Sequence, residues 1–178
     1  MKKKAILIVA ICVAALAAVT ALTVLTVHLF GKSAGKTPGS PETSTPSTGN
    51  MLITVENVTA QVGKNVRIPL TVSGNPGFMG AVLELTYDSD VLQYVGLEQS
   101  GIFTDCDASD EQGKLTLVDL ENKDVTENGT LVYVNFKVKA GSSGTSAINL
   151  NIAKTGICNY EEQPLDCQAK SGTVTIQP

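Results

Sequence analysis

The chain has 178 residues, only 4% of them aromatic and none of them Trp, and a formal net charge of −4. All 17 acidic residues lie at or after Glu42, whereas 8 of the 13 basic residues follow Lys36, so 8 positive against 17 negative charges leave the later part of the chain at −9. That balance argues against nucleic acid or an anionic membrane surface as its partner.

After Met1 come Lys2, Lys3 and Lys4, then an apolar run from Ala5 to Phe30. As a helix this run would span roughly 39 Å, enough to cross a bilayer with some tilt. Ala15-Leu16-Ala17 has the pattern of a signal-peptide cleavage site, but cutting there would leave the apolar Ala18 to Phe30 on the mature protein, so an uncleaved anchor is preferred. The three lysines and the amino terminus outweigh Lys32 and Lys36. The N-terminus is therefore expected in the cytoplasm and everything after Lys36 at the cell surface, with secretion as the alternative. Residues 1–36 are read as a transmembrane anchor. Residues 37–50 carry Pro38, Pro41 and Pro46 among Ser, Thr and Gly, with nothing apolar to found a core, and are read as a disordered linker. Residues 51–178 are long enough for one domain that buries about two thirds of its unfolded-chain surface.

Past the linker, short runs of β-formers recur between Gly, Asn, Asp and Pro, with no helical periodicity of useful length. Nine such runs span 51–61, 65–74, 80–88, 91–99, 113–121, 129–140, 146–157, 164–171 and 172–178. The expected fold is all-β, a nine-stranded jelly-roll sandwich. In the third run, alternation turns Leu83, Leu85 and Tyr87 inward and Val82, Glu84 and Thr86 outward. In the sixth, it turns Val132, Val134, Phe136 and Val138 inward and Leu131, Tyr133, Asn135 and Lys137 outward. The fifth alternates ambiguously. Asp88-Ser89-Asp90 ends one strand before an apolar run and reads as a turn held by local side-chain bonds, not as a catalytic carboxylate pair.

The chemistry this part of the chain lacks narrows its function. The only histidine, His28, lies in the N-terminal apolar run, so the domain has no imidazole for general base catalysis or for a zinc or copper site. No nucleophile elbow, phosphate-binding glycine loop or CxxC pair is present. The acidic stretch 105–113 places Asp105, Asp107 and Ser109 at calcium-loop spacing, but Asp110 stands where Gly is needed and Thr116 where a bidentate Glu is needed. It reads as a solvated acidic loop, and no metal site is assigned. Of the cysteines, Cys12 falls in the apolar run. An oxidising exterior permits one bridge among Cys106, Cys158 and Cys167; Cys158 with Cys167, flanking a turn-like segment, is the pairing favoured, and three reduced thiols are the alternative.

The segments VGKNVRIPL at Val62 to Leu70, Pro76-Gly77 before the third strand, and LTYDSDVL at Leu85 to Leu92, in this order, resemble a cohesin domain of cellulosome-type assemblies. The resemblance covers essentially all of residues 51–178. It implies a non-enzymatic jelly-roll sandwich that binds dockerin modules, small calcium-loaded helical domains carried by enzymes or scaffold proteins. No cofactor of its own is implied, since the calcium would belong to the dockerin. In the family the dockerin lies across a sheet made largely of the third, fifth, sixth and eighth strands. Carried onto the runs above, that face is Val82, Glu84 and Thr86, then Leu117, Asp119 and Glu121, then Leu131, Tyr133 and Asn135, with Tyr133 as a central aromatic anchor. Where the best-known cohesin class carries an Asn and an Asp on the third strand, this chain has Gly80 and Val82, which leaves the dockerin class open. The expectation is a monomeric, surface-anchored cohesin that tethers one dockerin-bearing protein to the cell envelope. A carbohydrate-binding module or adhesin of the same architecture is the first alternative, weakened by the missing Trp, and a carboxylate glycoside hydrolase is the second.

Overall fold

A computed structural model describes residues 51–178; the expected anchor (1–36) and linker (37–50) lie outside the described residues. Every regular element among those residues is a strand: β1 (Met51–Val55), β2 (Val58–Gln61), β3 (Asn65–Ser73), β4 (Phe78–Tyr87), β5 (Leu92–Gln99), β6 (Asp107–Asp110), β7 (Lys114–Val125), β8 (Gly129–Val138), β9 (Gly144–Asn151), β10 (Ile157–Cys158), β11 (Cys167–Lys170) and β12 (Gly172–Gln177). They form two sheets. One has five strands in the order β11-β1-β3-β8-β5; the other has seven, in the order β2-β12-β9-β4-β7-β6, with β10 beside β4.

The inward residues of the two sheets share one core, as alternation requires of a sandwich. Leu83 and Leu85 from one sheet and Ile68, Leu70, Val134 and Phe136 from the other are all buried. Phe136 sits at the centre, edge-on to Tyr87 at 4.7 Å and to Tyr94 at 6.0 Å between ring centroids. Of these, Leu83, Leu85, Tyr87, Val134 and Phe136 are residues that period-two patterning turned inward; Ile68, Leu70 and Tyr94 join them.

The count of nine becomes twelve for identifiable reasons. The first run changes sheets at Glu56-Asn57, so that β1 pairs with β3 while β2 pairs with β12. The C-terminal runs make the matching change at Ser171: β11 lies parallel to β1, and β12 parallel to β2. Gly172 makes that crossing possible, because a Cβ there would lie 2.4 Å from the Val55 carbonyl oxygen. The acidic stretch read as a loop contains an edge strand instead. Its Asp107–Asp110 segment pairs antiparallel with β7 from Val118 to Leu115, and Asp110 accepts a 2.8 Å hydrogen bond from the Tyr87 hydroxyl. Its four exposed residues, three of them polar and the fourth Ala108, make an edge strand that alternation cannot detect, since neither face carries a large hydrophobic side chain.

Two further expectations are settled by the backbone. Asp88-Ser89-Asp90 is a turn: Asp88 Oδ1 accepts from the Asp90 amide at 2.9 Å, and the Asp88 carbonyl accepts from the Leu92 amide at 2.9 Å. The expected Cys158–Cys167 bridge is absent. Cys158 pairs with Gly80 in the seven-stranded sheet, whereas Cys167 pairs with Met51 at the edge of the five-stranded one. Burial pushes the Cys167 thiol up to about 11, and burial reinforced by Asp119, Asp107 and Asp105 pushes Cys106 up to about 12, so neither is poised for thiolate chemistry.

Candidate functional site

The outward face of the seven-stranded sheet is built from residues paired across four of its strands. Val82 on β4 faces Val118 on β7, and Glu84 faces Thr116. On the other side of β4, Glu84 faces Asn151 and Thr86 faces Asn149 on β9. Beyond β7, Asp107 and Ser109 of β6 extend the same rows beside Val118 and Thr116. The face is graded. Its polar end holds Glu84, Thr86, Asn149 and Asn151, with Lys114 Nζ 3.1 Å from Glu84 Oε1. At its other end Gly80 lies between Cys158 and Leu120, in register with both. A methyl group at Gly80 would come within 3.2 Å of Cys158 Sγ and 3.5 Å of Leu120 Cδ1, so the two side chains flank a bare strip of backbone. With Val82 and Val118 they make an apolar end.

The sequence-derived site residues divide over three places. Val82, Glu84 and Thr86 lie on this face as expected. Leu117 and Asp119 do not: they are 0% and 1% exposed and point between the sheets, because β7 alternates with Leu115 and Leu117 inward and Thr116, Val118 and Leu120 outward. Glu121 lies in the irregular stretch of β7 between the Gly80–Leu120 and Phe78–Val125 pairs, and its carboxylate accepts hydrogen bonds from Thr104, from the amide at 2.7 Å and from the hydroxyl at 2.8 and 2.9 Å. Leu131 is also buried, at 0% exposure. The β3–β8 register shifts there, with Leu70 opposite Val132 but Thr71 opposite Thr130, so the alternation of β8 breaks at Leu131. The Leu131 carbonyl accepts from the Phe103 amide at 3.2 Å and from the Ser100 hydroxyl at 2.6 Å, which places the segment following β5 against it.

Tyr133 and Asn135 do face outward, but β8 belongs to the five-stranded sheet, so they lie on the opposite side of the sandwich. Tyr133 is engaged by its own chain: the Arg67 guanidinium stands 3.3 Å above its ring, and Arg67 is bonded to Glu98 at 2.5 Å. The expected nine-residue patch therefore cannot be one contact surface. Thr116, Val118 and Leu120 replace Leu117, Asp119 and Glu121. Their signal was present in the Leu115 and Leu117 alternation, which the inward carboxylate of Asp119 obscured.

Asp119 is unusual among the inward residues. Both carboxylate oxygens are buried without a hydrogen-bond partner. Burial first, then the Glu121 charge, and to a lesser degree Asp105, push its carboxyl up to about 7, while the Asp105 backbone amide offsets part of this without reaching hydrogen-bond geometry. Among the described residues no cluster of His, Cys, Asp and Glu is arranged to hold a metal ion.

Residues 51–176 match the family model described as the cohesin domain. The chain belongs to the cohesin family. This cohesin domain is accordingly a non-catalytic protein-interaction module. A curated relative, cellulose-binding protein A of Clostridium cellulovorans, is 29% identical over 136 residues, covering 70% of this chain but only 7% of that much longer protein. Among solved structures, the cohesin fold recurs in a type I cohesin–dockerin complex from Clostridium thermocellum, with a TM-score of 0.66 at 16% identity, covering 72% of this chain and 99% of that one. It recurs also in a non-cellulosomal cohesin from the archaeon Archaeoglobus fulgidus, with a TM-score of 0.64 at 18% identity, covering 72% of this chain and 92% of that one.

Proposed function

We propose that this cohesin seats the dockerin module of a partner protein on the outward face of its seven-stranded sheet, and that the N-terminal apolar run and linker hold the pair at the cell envelope. One observation carries the reading. When β6 is counted, and β1 with β2 as one run, the third, fifth, sixth and eighth strands become β4, β6, β7 and β9, which are consecutive neighbours in one sheet. Those are the strands that the family resemblance implies for the docking surface. Counting without β6 shifted every later strand by one and placed β8 in the site.

The face suits a helical partner physically. Val82, Val118 and Leu120 supply apolar area at one end, while Glu84 and Asp107 can orient Lys or Arg of the partner from the middle and rim. The domain contributes no cofactor; calcium would be carried by the dockerin, and binding by a single monomeric cohesin would be one to one. Anchoring is supported by the length of the Ala5–Phe30 run and the lysines before it. The sugar-binding alternative loses its main candidate platform, because Tyr133 is already stacked under Arg67. Calorimetric titration with calcium-loaded dockerins encoded in the same genome, repeated with a chelator, tests the reading. Saturable binding abolished by chelation is expected, and no binding to any of them would overturn it.

A further inference from the structure

We propose that the loop Asn159–Pro164 is a second contact element for the docking partner, with Tyr160 as an aromatic anchor and Glu161 and Glu162 selecting a partner helix that carries Lys or Arg beside an apolar residue. This rests on the docking reading above and extends the footprint beyond the strands that carry it.

Tyr160 is 61% exposed, and the other large hydrophobic residue exposed to a comparable degree among the described residues is Val95, at 54%, on the opposite sheet. An aromatic ring held in water at a loop tip is available contact area with few rotamers to freeze. Its position follows from the chain path. Cys158, two residues earlier, is the β10 residue that pairs with Gly80 at the apolar end of the face, so the loop rises directly from that end. The Tyr160 amide donates to Asp124 Oδ1 at 2.6 Å, which ties the loop to the C-terminal end of β7.

The loop is also ordered before any partner arrives. Asn159 closes it three times: its amide donates to the Gln163 carbonyl at 3.1 Å, its carbonyl accepts from the Glu162 amide at 3.0 Å, and its Oδ1 accepts from the Gln163 amide at 2.8 Å. At the base, Cys158 bridges to Pro164, and the Leu165 amide donates to the Ile157 carbonyl at 2.9 Å. Glu162 is held at φ 59°, a left-handed conformation that a side chain adopts only when its neighbours impose it. A pre-formed loop loses little entropy on docking, which favours a contact role over mere solvation. Glu161 and Glu162 are exposed and have no ion-pair partner among the described residues, so the tip presents one ring flanked by two uncompensated carboxylates. A cation beside an apolar side chain matches that chemistry.

The full chain, solubilised in detergent, is titrated with the calcium-loaded dockerins encoded in the same genome. Tyr160→Ala should weaken binding at least about tenfold, as loss of an aromatic anchor does, while Tyr160→Phe stays within about twofold. Glu161→Lys with Glu162→Lys should slow association and flatten its salt dependence. If Leu120→Arg abolishes binding but Tyr160→Ala binds like the parent, the loop is not a contact and this inference falls while the docking reading stands. If the parent chain binds no dockerin, both fall.

Discussion

Replacing Asp119 with Asn should change how stability depends on pH more than it changes stability itself. The native carboxyl titrates at about 7 and the unfolded one at its ordinary value of 3.8. Between these values the native chain keeps a proton that the unfolded chain has released, so the contribution of Asp119 to stability is greatest in acid and falls as pH rises toward 7. Above about pH 7 both states are ionised and the loss levels off. At about 1.4 kcal/mol per pKa unit, the rise from 3.8 to about 7 corresponds to roughly 4 kcal/mol lost across that window. Asn has nearly the same shape and no titration. Urea unfolding of parent and Asp119→Asn at a series of pH values from about 4 to 8 isolates the effect, since every other carboxylate titrates in both proteins. The difference in unfolding free energy should shift in favour of Asn by several kcal/mol as pH rises, whatever cost the buried amide adds at all pH values. Parallel curves would refute the reasoning and place Asp119 ionised at neutral pH with a partner that satisfies it.

Tyr133→Ala should leave affinity for the docked partner within about twofold by calorimetry, because the ring is on the other sheet under Arg67, whereas Leu120→Arg should reduce it at least about a hundredfold by setting a charge in the apolar end of the face. Phe136→Ala removes the ring that Tyr87 and Tyr94 both pack against and should cost about 3–5 kcal/mol in chemical denaturation. Native Cys106 and Cys167 should react with iodoacetamide far more slowly than in the unfolded chain, and a reductant should leave the melting temperature of the domain unchanged because no disulfide is present among the described residues. Gly172→Ala should destabilise severely, read as a lower melting temperature, since no rearrangement of a flexible side chain can relieve contact with the Val55 backbone.

What could be read from the chain was decided by where hydrophobic period-two patterns are unbroken. The inward set of β8 from Val132 to Val138 and that of β4 from Leu83 to Tyr87 are buried as alternation requires, and both outward and inward residues of β4 fall where expected. The site was misread at places where a pattern is interrupted for a structural reason. Asp119 occupies an inward position that water-seeking residues rarely hold, so the face of β7 was inverted. Leu131 sits at a register shift, which no single-strand pattern announces. The four residues of β6 owe their strand to pairing with β7 and to the Tyr87 bond, both of which are tertiary, and their omission moved the strand count by one. Cys158 and Tyr160 belong to a two-residue strand and its loop, too short for any periodicity to mark.

The parallel pairing of β1 with β11 and of β2 with β12 has a consequence for biosynthesis. The earliest and latest segments of the domain to leave the ribosome are each other's neighbours in both layers, more than a hundred positions apart in the chain. A nascent chain halted before Cys167 would therefore carry two exposed backbone rims at once, and a stop codon that removed only the final dozen residues would unmake the whole domain instead of trimming its tail.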